Sequence, residues 1–224
     1  MGEPAADLKG EDSTRPRILA AAEAVFAQGG YGGASMREIA LGAGVAQGLI
    51  HYHFGSKADL YAAVIAWRTA GINAARATRL NAMGPGAPLE TILDAFYRPA
   101  LDPALGGTAY VRVLAMMVMG SQRDRELIAR HYDPIAERFI AAIRQAEPHL
   151  ARADAAWGYG LTVQVLVAAT GHSDRIARLA EEDGPTDHEA RLARLVRYAS
   201  AGIRAMGADQ AMQNDHSSQS GRTT

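Results

Sequence analysis

Residues 35–57 read SMREIALGAGVAQGLIHYHFGSK, and the glycines and apolar residues of that run decide the fold. Ser35 stands where a helix cap belongs, and Glu38 three residues on can return the bond, which is the capping-box pattern. A helix therefore opens there, with Ile39, Ala40 and Ala43 facing inward. Gly44-Val45 makes a tight turn, and a third short helix follows from Gln47 to Phe54. On that helix Ile50 and Phe54 are four apart and share, with Val45, the side that packs on its neighbours. Gln47, Gly48, His51 and Tyr52 take the opposite side. Two helices joined by so short a turn can set the second in a DNA major groove while the first crosses the backbone.

The outward set has fitting chemistry. Glutamine can bond bidentately to adenine, Leu49 can touch a thymine methyl, and His51 and Tyr52 can donate to phosphate oxygens. Gly48 inside a helix costs about 1 kcal/mol relative to alanine, which either marks close approach of the backbone to a partner or is simply tolerated by so short a helix. Lys57 lies in the first turn of the next helix, where free N–H groups already favour an anion. Arg37 holds the same place on its own helix. Ser56 with Asp59 is a weaker capping signal than Ser35 with Glu38, because aspartate reaches back less well.

Outward from this core, a first helix is expected from Pro16, capped by Thr14 or Arg15, with Ile18, Leu19, Ala22, Val25 and Phe26 as its stripe and Gly29-Gly30 as its stop. The fourth helix should run from Ser56 to about Met83. GPGAP at 84–88 is the clearest boundary, and helices should follow over Leu89–Ala100 and Tyr110–Met119. Asp133-Pro134 either starts a new helix, running to Glu147, or kinks a continuous one. Two long helices, about Arg152–Leu179 and His188–Met206, close an all-α chain. The expected division is a polar, disordered tail over 1–12, a helix-turn-helix domain over 13–60, a helical domain over 61–206 and a second tail over 207–224.

Composition narrows the classes. The 224 residues are 48% hydrophobic and contain no cysteine, so disulfides, zinc fingers and thiolate clusters are excluded. The acidic, polar start is no secretory signal, and VRVLAMMVMG and LTVQVLVAAT are shorter than the roughly 20 apolar residues of a membrane span, so a cytoplasmic protein without membrane contact is expected. Net charge is −1, but from Ser13 to Arg68 Arg15, Arg17, Arg37, Lys57 and Arg68 outnumber Glu23, Glu38 and Asp59, so the local sign suits DNA. His51 and His53, two apart on a helix, cannot share a metal ion, and no phosphate loop or nucleophile motif is present. Neither metal, cofactor nor enzymatic activity is expected. The alternatives are an interaction module of the same fold without DNA binding, or a small-molecule enzyme.

The stretch TRPRILAAAEAVFAQGGYGGASMREIALGAGVAQGLIHYHFGSKADLYAAVI, residues 14–65, resembles the DNA-binding region of the tetracycline-repressor (TetR) family, most specifically in GVAQGLIHYHFGSKADL. It departs in having His51 where tyrosine is usual, Leu49 where threonine is common, and Ala46 where a capping serine is expected. The resemblance implies a homodimer that places its recognition helices in successive major grooves of a palindromic operator. It also implies a C-terminal domain that dimerises and binds a small hydrophobic effector, whose binding releases the repressor from DNA. Ser35, Arg37, Gln47, Gly48, Leu49, His51, Tyr52 and Lys57 fall on positions that commonly meet DNA in that family. Tyr97, Met116, Met117, Met119, Tyr132 and Trp157 fall on helices that the family places around a cavity, and methionine suits an adaptable pocket. Arg112 interrupts an apolar helix and, if buried, needs an anionic partner; an internal acid is expected before a ligand's anionic group.

Overall fold

Gly30, Gly44 and Gly55 punctuate the N-terminal helices at positions of positive φ, where glycine is favoured. In the computed structural model, which describes residues 8–105, 107–171, 173–181 and 187–207, α1 (Leu8–Gly33) is interrupted at Gly30, with φ 62° and ψ −173°. It precedes α2 (Met36–Ala43) and α3 (Gln47–Phe54). Pro16 lies inside α1 instead of opening it. The ring removes one backbone bond, yet the chain is helical on both sides, so residues 8–12 belong to a helix and not to a tail. Of the two expected tails, 1–7 and 208–224 lie outside the described residues.

Gly44, at φ 63° and ψ 40°, ends α2, and its N–H donates to the Leu41 carbonyl at 3.1 Å while Val45 N–H donates to that of Ala40 at 3.0 Å. The reversal brings α3 across α1 and α2. Ile18, Ala22, Ile39, Ile50 and Leu60 are all 0% exposed there, and each large aliphatic among them contributes about 1.5–3 kcal/mol by leaving water. Phe26 meets Tyr61 edge-on at 4.9 Å, tying this small core to the next helix.

That helix, α4 (Lys57–Asn81), runs from the N-terminal three-helix unit into the rest of the chain, packing on α1 and α3 at one end and on α5 and α8 further along. Its start is the capping box that Ser35 and Glu38 were expected to make. Ser56 Oγ accepts from Asp59 N–H at 3.1 Å, and the Asp59 carboxylate accepts from Ser56 N–H at 3.2 Å. Ser35 caps α2 by backbone conformation alone, with no side-chain cap bond.

The rest of the chain is α5 (Leu89–Leu101), a 3₁₀ turn (Pro103–Leu105), α6 (Gly107–Val118), α7 (Gln122–His131), α8 (Asp133–Ala146), α9 (Arg152–Gly171), α10 (Ser173–Leu179) and α11 (His188–Met206). No strand occurs among the described residues. Asp133-Pro134 starts a new helix, with Tyr132 as its cap. The long helix expected over 152–179 is two, α9 closing on Gly171. No described helix is long and apolar enough to cross a membrane. Phe96, Phe139 and Tyr159 form an aromatic cluster where α5, α8 and α9 meet, with centroids 5.4–6.3 Å apart. α9 also packs closely on α11, because a Cβ on Gly158 would stand 2.8 Å from Ile203 Cγ1.

Candidate nucleic-acid interface

The third helix has two faces. Ile50 is 0% and Phe54 8% exposed, whereas Gln47, Gly48, Leu49, His51 and Tyr52 all lie in solvent, Tyr52 at 74%. Arg15 from α1 secures the buried side, its guanidinium 4.7 Å from the Phe54 ring centroid. Arg17, two residues further along α1, donates from Nη2 to the Ala43 carbonyl at 2.7 Å and so satisfies the end of α2. Both arginines count in the local positive charge, but their first task is to fix the angle between α2 and α3. Arg68 is likewise committed, in a buried pair with Glu23.

The remaining candidates surround α3. Ser35 and Arg37 are exposed at the N-terminus of α2, and the uncommitted Ser35 hydroxyl leaves a donor for a phosphate. Lys57 is half-buried with its ammonium 4.8 Å above the Tyr31 ring, and Arg123 of α7 lies over the same ring at 3.9 Å. The capping box uses the N–H groups of Ser56 and Asp59, and Ser56 holds the Asp59 carboxyl below its ordinary pKa. By helix geometry the N–H groups of Lys57 and Ala58 remain free for an anion beside the lysine. A Cβ on Gly48 would meet nothing within 4 Å, so no contact inside the protein requires glycine there.

His51 is oriented by its own helix end. Its Nδ1 lies 2.7 Å from the Gly55 carbonyl, and since a carbonyl only accepts, Nδ1 carries the hydrogen. The outward Nε2 of the neutral ring is then an acceptor, and only the imidazolium can donate it to a phosphate. His53, half-buried, has Nε2 buried without a partner.

The sequence from 18 to 64 matches the family model described as bacterial regulatory proteins, tetR family, and residues 94–202 match the tetracyclin repressor-like C-terminal domain. The chain belongs to the TetR family of transcription regulators. Close relatives of the TetR-type N-terminal domain include the transcriptional activator FasR of Mycolicibacterium smegmatis, 46% identical over 54 residues, 24% of this chain and 25% of that one. The dual regulator CecR of Shigella flexneri is 45% identical over 67 residues, 30% and 29% of the two chains. The repressor BepR of Brucella suis is 44% identical over 52 residues, 23% and 25%. The matches thus span little more than a quarter of these relatives' length. Over most of the chain the fold is that of PfmR from Thermus thermophilus, at 19% identity and TM-score 0.59, covering 84% of this chain and 97% of that one. A TetR-like regulator from Rhodococcus, at 21% identity, gives a TM-score of 0.62 over 85% of this chain and 96% of that one.

In this TetR-family regulator the seven residues expected to line an effector cavity do not converge. Tyr97, Met117 and Tyr132 are core, and Tyr97 donates to the Thr162 carbonyl at 3.2 Å. Arg112 is solvated on the outer side of α6 and needs no counter-ion, Met119 is exposed just past the end of that helix, and Met116 is partly exposed with its sulfur beside Gly30 of α1. Trp157 is 69% exposed on the outer face of α9, beside Leu161. The cause is helical phase: Tyr110, Leu114 and Met117 repeat at the same interval as Arg112, Met116 and Met119, and spacing alone cannot choose between the stripes. Among the described residues the cation buried in this domain is instead Arg76, 1% exposed, on the buried stripe of α4.

Proposed function

We propose that this protein is a ligand-responsive repressor that occupies a palindromic operator as a homodimer. The exposed face of α3 carries this reading: a short helix held by Ile50, Phe54, Arg15 and Arg17 presents one amide, one exposed backbone, the Tyr52 hydroxyl and the His51 ring outward. The named relatives of the N-terminal domain include an activator, a dual regulator and a repressor, so what they share is regulation through that domain. Repression is the direct consequence of an occupied operator. Dimerisation is assigned to α9 and α11, whose apolar groove of 480 Å³ between Leu161, Val165, Ala168, Tyr198, Gly202 and Met206 faces solvent in the single chain. Such contiguous apolar surface marks an interface, and TetR-family regulators usually act as homodimers with small-molecule effectors.

Release follows from geometry. Recognition helices must stand about 34–36 Å apart, and α4 connects them to the domain in which an effector would bind, so an effector that prefers a shifted α4 also prefers the unbound state.

Selection of bound duplexes from a random pool tests the assignment. A palindrome with half-sites one turn apart is expected. Gln47→Ala should relax preference at one base pair per half-site, removing about 1–3 kcal/mol of discrimination, while Lys57→Ala should weaken all sequences alike. No enriched sequence, or unchanged preferences in Gln47→Ala, refutes it.

Gly48→Ala separates the two accounts of that glycine. With open space around the added methyl, the free protein should gain about 1 kcal/mol in chemical denaturation. If the helix backbone meets DNA, operator affinity should nevertheless fall by roughly tenfold, about 1.4 kcal/mol. Unchanged affinity with raised stability would show that the position is merely tolerated.

A further inference from the structure

Arg76 sits on α4 in the heart of the C-terminal domain and makes no ion pair among the described residues. Its Nε donates to the Phe96 carbonyl at 3.0 Å, and the guanidinium stacks 4.1 Å from the Phe96 ring centroid. Nη2 is buried without a partner. Isolated buried cations are costly, and aromatic stacking offsets only part of that cost.

The neighbours do not supply the missing negative charge. Tyr132 and Tyr159 lie near enough to feel the guanidinium, but burial outweighs it: the Tyr132 phenol is held well above its ordinary range and that of Tyr159 is pushed up to about 12. Both therefore remain neutral. Asp133 is exposed at the start of α8. One further polar atom at this level is buried and unpaired, Asn73 Oδ1, one turn before Arg76, while Tyr110 OH is engaged with the phenol of Tyr132. Asn73 Nδ2 donates to the His131 carbonyl at 2.8 Å, which places its side chain beside Tyr132. Around these groups stand the rings of Phe96, Phe139 and Tyr159.

We infer that the effector is a carboxylate-bearing amphiphile whose carboxylate pairs with Arg76, while its apolar body lies among Phe96, Phe139 and Tyr159. This rests on the ligand-sensing reading above and names the chemical class that the sensor takes. A guanidinium fork matches a carboxylate in two parallel hydrogen bonds, and Arg76 keeps its Nη2 free for one of them. The site is closed, with Phe96 and Tyr110 each 2% exposed, so admitting a ligand must part the helices around α4. The same α4 begins at Lys57, beside the proposed recognition helix, so the displacement is delivered where it alters DNA binding.

The experiment uses two matched probe sets, decanoate with decanamide and decylamine, and 4-phenylbutyrate with its amide and amine. Binding is measured calorimetrically to the full chain, and operator release by fluorescence anisotropy on a selected duplex. In at least one set the carboxylate should bind the wild type about tenfold or more tightly than its amide, with the amine weaker still, and should release the duplex. Arg76→Met should reduce the carboxylate-to-amide ratio to about one without abolishing amide binding, and Arg76→Lys, which keeps the charge and loses the fork, should leave an intermediate ratio. A residue that merely ties α4 to α5 would lower stability in both variants and leave the ratio unchanged. A ratio of one in the wild type, an unchanged ratio in Arg76→Met, or no binding by either carboxylate overturns the inference. Equal binding of carboxylate and amide with operator release would leave ligand sensing standing without this effector class. Failure to bind any selected duplex would instead refute the regulator reading, and the ratio would remain measurable.

Discussion

Leu161→Glu is expected to convert the protein to a monomer and to lower operator affinity by about two to four orders of magnitude, the factor that linking two half-site contacts supplies. Leu161 is 44% exposed in the single chain, on the outer face of α9 beside Tyr198 of α11, so the substitution removes little from the monomer's own core. In a two-fold dimer the same patch meets itself, and each substitution is felt twice. Two carboxylates would then be desolvated in an apolar groove without a cation, an arrangement that association cannot sustain. Analytical ultracentrifugation and anisotropy, with helix content checked by circular dichroism, measure all three quantities. A folded Leu161→Glu protein that still dimerises would move the interface away from α9 and α11. A monomer with undiminished affinity would show that geometry between two recognition helices is not what holds this protein on DNA.

The DNA-binding half of the fold was legible because its signals are local. Alternation of Ile50 and Phe54 with Gln47, His51 and Tyr52 is set by helical period, and the turn at Gly44 by a backbone that only glycine adopts cheaply. Local signals also ranked the caps in the wrong order. Ser56 with Asp59 forms the complete box, while Ser35 with Glu38 makes no side-chain cap bond. In the larger domain the signal is non-local. The two stripes of α6 are equally spaced, and only the positions of α1, α5 and α9 around it decide that Tyr110 and Met117 face in and Arg112 and Met119 face out. Arg76 is different: it falls four residues after Ile72 and eleven after Ile65, squarely on the buried stripe of α4. That phase identifies a buried cation from sequence, whereas Arg112 drew attention only by interrupting a run of apolar residues.

Asp124→Ala is expected to cost about 3 kcal/mol in urea denaturation, and the loss should be shared with Tyr61. The Asp124 carboxylate is buried between α4 and α7, where Oδ1 accepts from Tyr61 OH at 2.9 Å. Oδ2 accepts from the Ser121 N–H and hydroxyl, each at 2.8 Å, closing the first turn of α7. A buried hydrogen bond to a charged group contributes about 1.5–3 kcal/mol, and loss of a helix cap adds about 1 kcal/mol. Tyr61→Phe removes only the first bond and should cost about 1.5–3 kcal/mol by the same reasoning. Because both substitutions break one contact, the double variant should fall short of the sum by more than the 0.5 kcal/mol allowed for independent sites. Additivity would show that the Tyr61–Asp124 bond is energetically inert. Its position gives the pair a consequence beyond stability. Tyr61 also touches Phe26 and Tyr31 edge-on at 4.9 and 5.3 Å, and Arg123, next to Asp124, stacks on Tyr31. This polar contact therefore joins α7 of the larger domain to the base of the helix-turn-helix. Asp124→Ala protein that still folds should hold the operator while responding less to effector, since the joint that transmits the movement of α4 and α7 has been cut.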